Sequence, residues 1–169
     1  MSERSPAPGG LALVESLVNT LDIESGADML DTADGRAAFG IGSGDLAAAR
    51  ELRESLRVAL LAHGGHPPHR AVTPLGALLA DTPLYLSVDD RDGSAALAPA
   101  ADGAPLLSRV AVAVAEALAA GTWTRLKACE AATCHWAYYD RSPAGRGRWC
   151  SMQVCGARAK MRRYRAKGA

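Results

Sequence analysis

Cys129-Glu130-Ala131-Ala132-Thr133-Cys134 and Cys150-Ser151-Met152-Gln153-Val154-Cys155 hold all four cysteines of this 169-residue chain, in the spacing C-x4-C-x15-C-x4-C. Two close pairs joined by a loop suit a tetrahedral Zn²⁺ site, because each pair offers two thiolates from one turn. With sulfur in all four positions no place is left for water, so such a site is structural rather than catalytic. Cytosolic chains rarely keep disulfides, and there the same pattern favours metal. His135 directly follows Cys134 and is a weaker alternative ligand. The second pair runs into Gly156-Ala157-Arg158-Ala159-Lys160-Met161-Arg162-Arg163-Tyr164-Arg165-Ala166-Lys167. This predicts a helix over 156–167 with six cations and no acid. Its stripe Val154, Ala157, Met161 and Tyr164 is expected to pack on the zinc knuckle.

Outward from the cysteines the charge is uneven. Residues 1–122 carry eight Lys/Arg against sixteen Asp/Glu, a formal −8, and residues 123–169 carry eleven against two, a formal +9. Two modules with different partners are implied. Basic density of this kind, on a metal-held helix, points to nucleic acid. The expected contacts are Arg158, Lys160, Arg162, Arg163, Arg165 and Lys167 on the helix, with Arg141, Arg146 and Arg148 on the loop before it. Trp136, Tyr138, Tyr139 and Trp149 are expected to form a small core around the metal. Stacking on exposed bases is their alternative role.

The N-terminal half reads as helices around a small hairpin. Apolar residues at Leu13, Leu17, Val18 and Leu21 mark a helix over 11–23. Residues 24–44, rich in Asp and Gly, read as a loop with one helical turn. Asp45 is expected to cap a long helix to His63, whose inner face is Leu46, Ala49, Leu52, Leu56, Ala59 and Leu60. Arg50, Arg53, Glu54 and Arg57 are expected on its outer surface. Pro74 opens a short helix, about 83–98 a hairpin, and Pro105 a second long helix closed by Gly121. Asn19-Thr20 is expected to end the first helix. Alternatively Asn19 and Thr20 line a ligand pocket with Arg53, a buried cation awaiting an acid. His63, His66 and His69 share a Gly/Pro-containing loop. The fold class is α+β: a flexible tail over 1–10, a mainly helical domain over 11–122, and a four-cysteine zinc module over 123–169 with its own core.

Arg125-Leu126-Lys127-Ala128-Cys129, Cys134-His135-Trp136, Tyr139-Asp140-Arg141-Ser142 and Arg148-Trp149-Cys150-Ser151-Met152-Gln153-Val154-Cys155-Gly156, followed by Arg158-Ala159-Lys160, resemble the CGNR zinc finger. Leu11-Ala12-Leu13 and Leu17-Val18-Asn19-Thr20-Leu21 resemble the start of the ABATE domain. Together they imply a bacterial transcriptional regulator that binds duplex DNA behind a sensing domain. The chain departs from the pattern at Ala157, where the family carries Asn, and in Ser142-Pro143-Ala144-Gly145-Arg146, where the family tends to carry a second basic residue and an Asn.

No catalytic triad, phosphate loop or paired-carboxylate motif occurs, so an enzyme is not expected. An RNA- or ribosome-binding module and a protein–protein adaptor are the competing readings. One finger covers only a few base pairs, so a homodimer or an RNA polymerase-associated partner is expected. The N-terminus lacks a secretory signal and no apolar run spans a bilayer, which places the chain in the cytoplasm.

Overall fold

A computed structural model describes residues 5–99 and 105–167. α1 (Leu11–Val18) turns four apolar side chains inward, Leu11, Val14, Leu17 and Val18. It ends earlier than the apolar pattern suggests, with Asn19 as its C-cap. The Asp/Gly-rich stretch holds two short 3₁₀ turns and α2 (Ala33–Ala37), which is capped by the Thr32 hydroxyl. α3 (Leu46–His63) is the long central helix. Asp45 precedes it but makes no side-chain cap, so the expected N-cap bond is absent. α4 (Leu75–Leu79) follows Pro74.

β1 (Leu84–Val88) and β2 (Ala95–Pro99) form an antiparallel hairpin with Leu86 opposite Leu97. The hairpin leans on α5 (Leu106–Ala119), which also packs against α1 and α3. α5 approaches the start of α1 so closely that a Cβ on Gly10 would lie 2.8 Å from the Ala113 Cβ. A side chain larger than hydrogen at Gly10 would push the helices apart.

β3 (Leu126–Ala128) and β4 (Ala137–Tyr139) pair antiparallel, Leu126 opposite Tyr139. β3 packs on α3 and β4 on α1. Leu126, Ala128 and Ala137 are all at most 1% exposed and belong to the same apolar core as Leu17, Leu56 and Val110. The expectation of a second module with its own core holds for the metal turns and not for the hairpin: among the described residues Cys129, Ala131 and Cys155 form a separate buried cluster, with Cys134, Trp149 and Cys150 packed against it. About 45 residues have too little apolar area to fold alone, and this hairpin gains it from the N-terminal helices.

That docking changes α3. Residues 52–57 are buried on every side of the helix. Arg53, Glu54 and Arg57 are 4%, 3% and 0% exposed, against the expectation of a solvated face. The tail is corrected too. Within 5–10, Ala7 is buried, its N–H donates to Glu15 Oε2 at 2.7 Å, and Arg141 donates to the Ser5 and Pro6 carbonyls. The first four residues lie outside the described residues.

A π-helical turn (Met152–Gly156), started by the Ser151 hydroxyl accepting from Val154 N–H, leads into α6 (Ala157–Lys167). α6 presents its apolar stripe outward: Met161 is 51% and Tyr164 77% exposed, and Ala157 is exposed as well. Ala159 is the residue of the helix that is buried. The expected packing of the stripe on the knuckle is therefore inverted. Among the described residues no helix is long and apolar enough to cross a membrane.

Candidate metal centre and nucleic-acid interface

Two tight turns build the centre. In the first, Cys134 and His135 N–H both return to the Ala131 carbonyl, at 2.8 and 3.2 Å. The turn closes with His135 at φ 46°, the one left-handed non-glycine among the described residues. His135 is held there from both sides. Its Nδ1 meets the Cys129 carbonyl at 3.0 Å, and its own carbonyl accepts from Arg57 Nη1 at 2.8 Å. The imidazole is thus a brace rather than a ligand, and it lies outside the cysteine cluster that can hold a metal. The second turn is the one capped by Ser151, with Gly156 N–H returning to the Ser151 carbonyl.

The four sulfurs of Cys129, Cys134, Cys150 and Cys155 all lie within 4.8 Å of one another. Cys134 and Cys150 Sγ are 3.6 Å apart, and Cys150 and Cys155 Sγ 3.8 Å. A tetrahedron with Zn–S near 2.3 Å has an edge of about 3.8 Å, so the donor set fits one Zn²⁺. Charge leads to the same answer. Hydrogen bonds from Cys134 and Cys150 pull the Cys129 thiol down to about 2, and the bond with Cys129 pushes Cys134 up to about 12. Cys150 is raised by the same bonding, and Cys155 by burial and the neighbouring Cys129 charge. Four sulfurs this close ionise together only around a cation. The centre is a structural Zn²⁺ site, one per chain.

The fifteen-residue loop is tied by residues the charge count did not single out. The Asp140 carboxylate accepts from Lys127 Nζ at 3.1 Å, Ser142 N–H at 3.0 Å and Gly147 N–H at 2.7 Å. Burial pushes this carboxyl up, but those bonds outweigh it and hold the group well below the usual carboxylate range. A Cβ on Gly147 would lie 3.0 Å from the carboxylate atoms, so a larger residue there would have to displace the Asp140 carboxylate. Tyr138 hydroxyl donates to the Gly147 carbonyl, and Arg125 reaches the Ser142 carbonyl. Lys127, though basic, is 5% exposed and cannot meet an external anion.

The expected nucleic-acid contacts divide in two. Arg141 is held by the tail, Arg148 by both Glu130 carboxylate oxygens, and Arg158 by Glu24 at 2.9 Å. Arg146, Lys160, Arg162, Arg163, Arg165 and Lys167 are exposed and make no ion pair among the described residues. Of the aromatic residues, Tyr138 is buried and Trp149 packs on the cysteine cluster, while Trp136 is half-buried and Tyr139 lies against the N-terminal core.

Asn19 and Arg53, the expected pocket residues, have internal partners. Asn19 acts as a one-residue strand: its Nδ2 donates to the Ala137 carbonyl at 3.0 Å and its Oδ1 accepts from Ala137 N–H at 2.7 Å. Arg53 pairs with Asp28 and Glu54, both at 2.8 Å, and bonds Thr20 Oγ1. The acid it awaited is thus supplied by the chain itself. Arg57, which its sequence position placed on the surface, joins Glu54, the Val18 carbonyl and the finger's His135 carbonyl. Burial pushes Glu54 up, and Arg57 and Arg53 reverse that to leave it lowered. His69 Nε2 meets Glu54 at 3.0 Å and His63 Nδ1 the Leu126 carbonyl at 2.7 Å, so two of the loop histidines are structural joints to this interface.

The family model described as "Putative stress-induced transcription regulator", ABATE, matches residues 11–121, and the model for the CGNR zinc finger matches residues 125–168. No curated protein gives a significant match. The first model covers well over half of the chain, and the second covers the cysteine turns and α6. The chain therefore belongs to the ABATE family, with a CGNR zinc finger following the family domain.

Proposed function

We propose that this protein is a DNA-binding transcriptional regulator of the cytoplasm, in which the zinc centre holds α6 against duplex DNA and the N-terminal domain senses. The observation that carries this is α6 itself: six cations, no acid, and five of the cations without an ion pair among the described residues. Such a helix repels itself until phosphates neutralise it, and counterion release then drives binding. The Glu24 that holds Arg158 is exposed, so the pair is weak and exchanges readily for a phosphate. The family's description as regulators supports the same reading. One helix has a small footprint, so the regulator acts as a homodimer or beside an RNA polymerase-associated protein. Sensing reaches the finger through Asn19, Arg57 and His63, which bridge the two parts.

The test is duplex binding by fluorescence anisotropy across a salt series. Replacing Arg158, Arg162 and Arg165 by Gln should weaken binding similarly on unrelated sequences. The log–log salt slope should fall by about 0.9 for each phosphate that is no longer neutralised. Equal binding by parent and triple variant at two salt concentrations removes α6 as the DNA-facing element. Tighter binding to single-stranded RNA than to duplex would favour the RNA reading.

A further inference from the structure

α6 is built inside out. With about 100° between successive residues, Ala157, Met161 and Tyr164 fall within an arc of about 60°, and the buried Ala159 lies on the opposite side. Arg158, Arg162 and Arg165 form one flank of the stripe. Lys160, Arg163 and Lys167 form the other. A soluble helix with one apolar stripe ordinarily buries it. Here the stripe points away from the body and is extended at the helix start by Val154, 43% exposed.

We propose that this stripe faces the base edges in the major groove of duplex DNA, with Met161 and Tyr164 against thymine methyl groups and the two cation flanks on opposite phosphate strands. The inference rests on the DNA-binding reading above. A helix with side chains is about 10–12 Å across and the major groove about 12 Å wide, so the element fits with its cations at both walls. An apolar centre between cationic edges matches the groove, whose floor offers thymine methyl groups and whose rims are phosphate. A second α6 is a poor occupant, because it would set six cations against six with no acid on either helix. An acidic protein segment would satisfy charge, but would leave one of the two flanks unused.

The experiment uses the full, zinc-loaded chain and a library of random duplexes. Three proteins are compared after zinc content is matched: the parent, Met161→Ala/Tyr164→Ala, and Arg162→Gln/Arg163→Gln. The apolar pair is exposed, so its removal leaves no cavity. The parent should enrich a short motif containing A·T pairs. The apolar double variant should lose at least tenfold in specific over non-specific affinity while keeping the parent's salt slope. The arginine double variant should keep the motif and show a flatter salt dependence. If the parent binds duplexes with steep salt dependence but enriches no motif, or if the apolar variant enriches the same motif equally, the stripe does not read bases and the DNA-binding function stands. If the parent shows no salt-dependent duplex binding, that function fails and the inference with it.

Discussion

Arg57 shows what a single residue does here that charge alone would not reveal. Its guanidinium is fully buried and divides its donors among Glu54, Val18 and His135, three parts of the chain. The His135 carbonyl follows directly on Cys134, so the N-terminal domain grips the zinc knuckle at its most strained residue. Arg57→Lys keeps the charge but loses the planar fork and orphans at least one carbonyl. It should cost about 1–3 kcal/mol in denaturant unfolding and speed zinc loss to a colorimetric chelator. An unchanged rate of zinc loss would mean that the grip does not reach the metal. His63 sets a pH dependence at the same interface. Burial pushes it below its ordinary 6.5, against the smaller opposing effect of its bond to the Leu126 carbonyl. A folded value below the unfolded one favours folding above about pH 6.5, and this contribution is lost as pH falls below it. Unfolding of the zinc-loaded protein should therefore become easier from about pH 7.5 to about 5.5, and His63→Asn should flatten that slope. Parallel slopes for the two proteins would assign the acid sensitivity to His69, which burial also lowers, or to zinc release.

At the scale of elements, α3 and α6 contradict their own patterns in opposite directions. α3 carries Arg53, Glu54 and Arg57 on the side its apolar stripe left for water, and the loop at Thr20 and Asp28, His69, and the finger's His135 cover them in turn. α6 carries an apolar stripe that the described residues leave open. Periodicity places side chains on faces correctly in both helices, but which face is inside depends on neighbours distant in sequence. Ala157 belongs to this scale, because its departure from the family motif falls on the open face of α6. Ala157→Asn should leave zinc stoichiometry at one and cost no more than about 0.7 kcal/mol, the difference in helix propensity. A loss larger than about 1.5 kcal/mol by thermal or chemical unfolding would show that the position packs inward after all.

Over the whole molecule, the hairpin and the metal centre are held by different forces. Leu126, Ala128 and Ala137 sit in the large apolar core, and Asp140 and Lys127 tie the loop that follows β4. The knuckle turns have, besides zinc, one small buried cluster and the Arg57 bond to His135, and α6 packs mainly on the turn before it. Chelation should therefore deprotect residues 129–136 and 148–167 in hydrogen exchange, while 126–128 and 137–147 stay protected with the N-terminal helices. Uniform loss of protection from residue 123 onward would instead indicate an independently folding finger.

The metal site was legible in the sequence because its information is local. Each pair of cysteines is closed by one turn, and only the joining of two turns was left to the fold. The hairpin, the two long helices and the glycine and proline boundaries were legible for the same reason, being set by patterns within a few residues. The burial of Arg57, the joint from Asn19 to Ala137 and the outward stripe of α6 were not. The first two rest on contacts 78 and 118 residues apart, and neither partner carries a local sign of the other. Sequence alone settled which groups can bind a metal and where the positive charge gathers. The tertiary structure decided which charges are consumed inside and which face outward, because a buried ion is tolerated only where folding brings its partner to it.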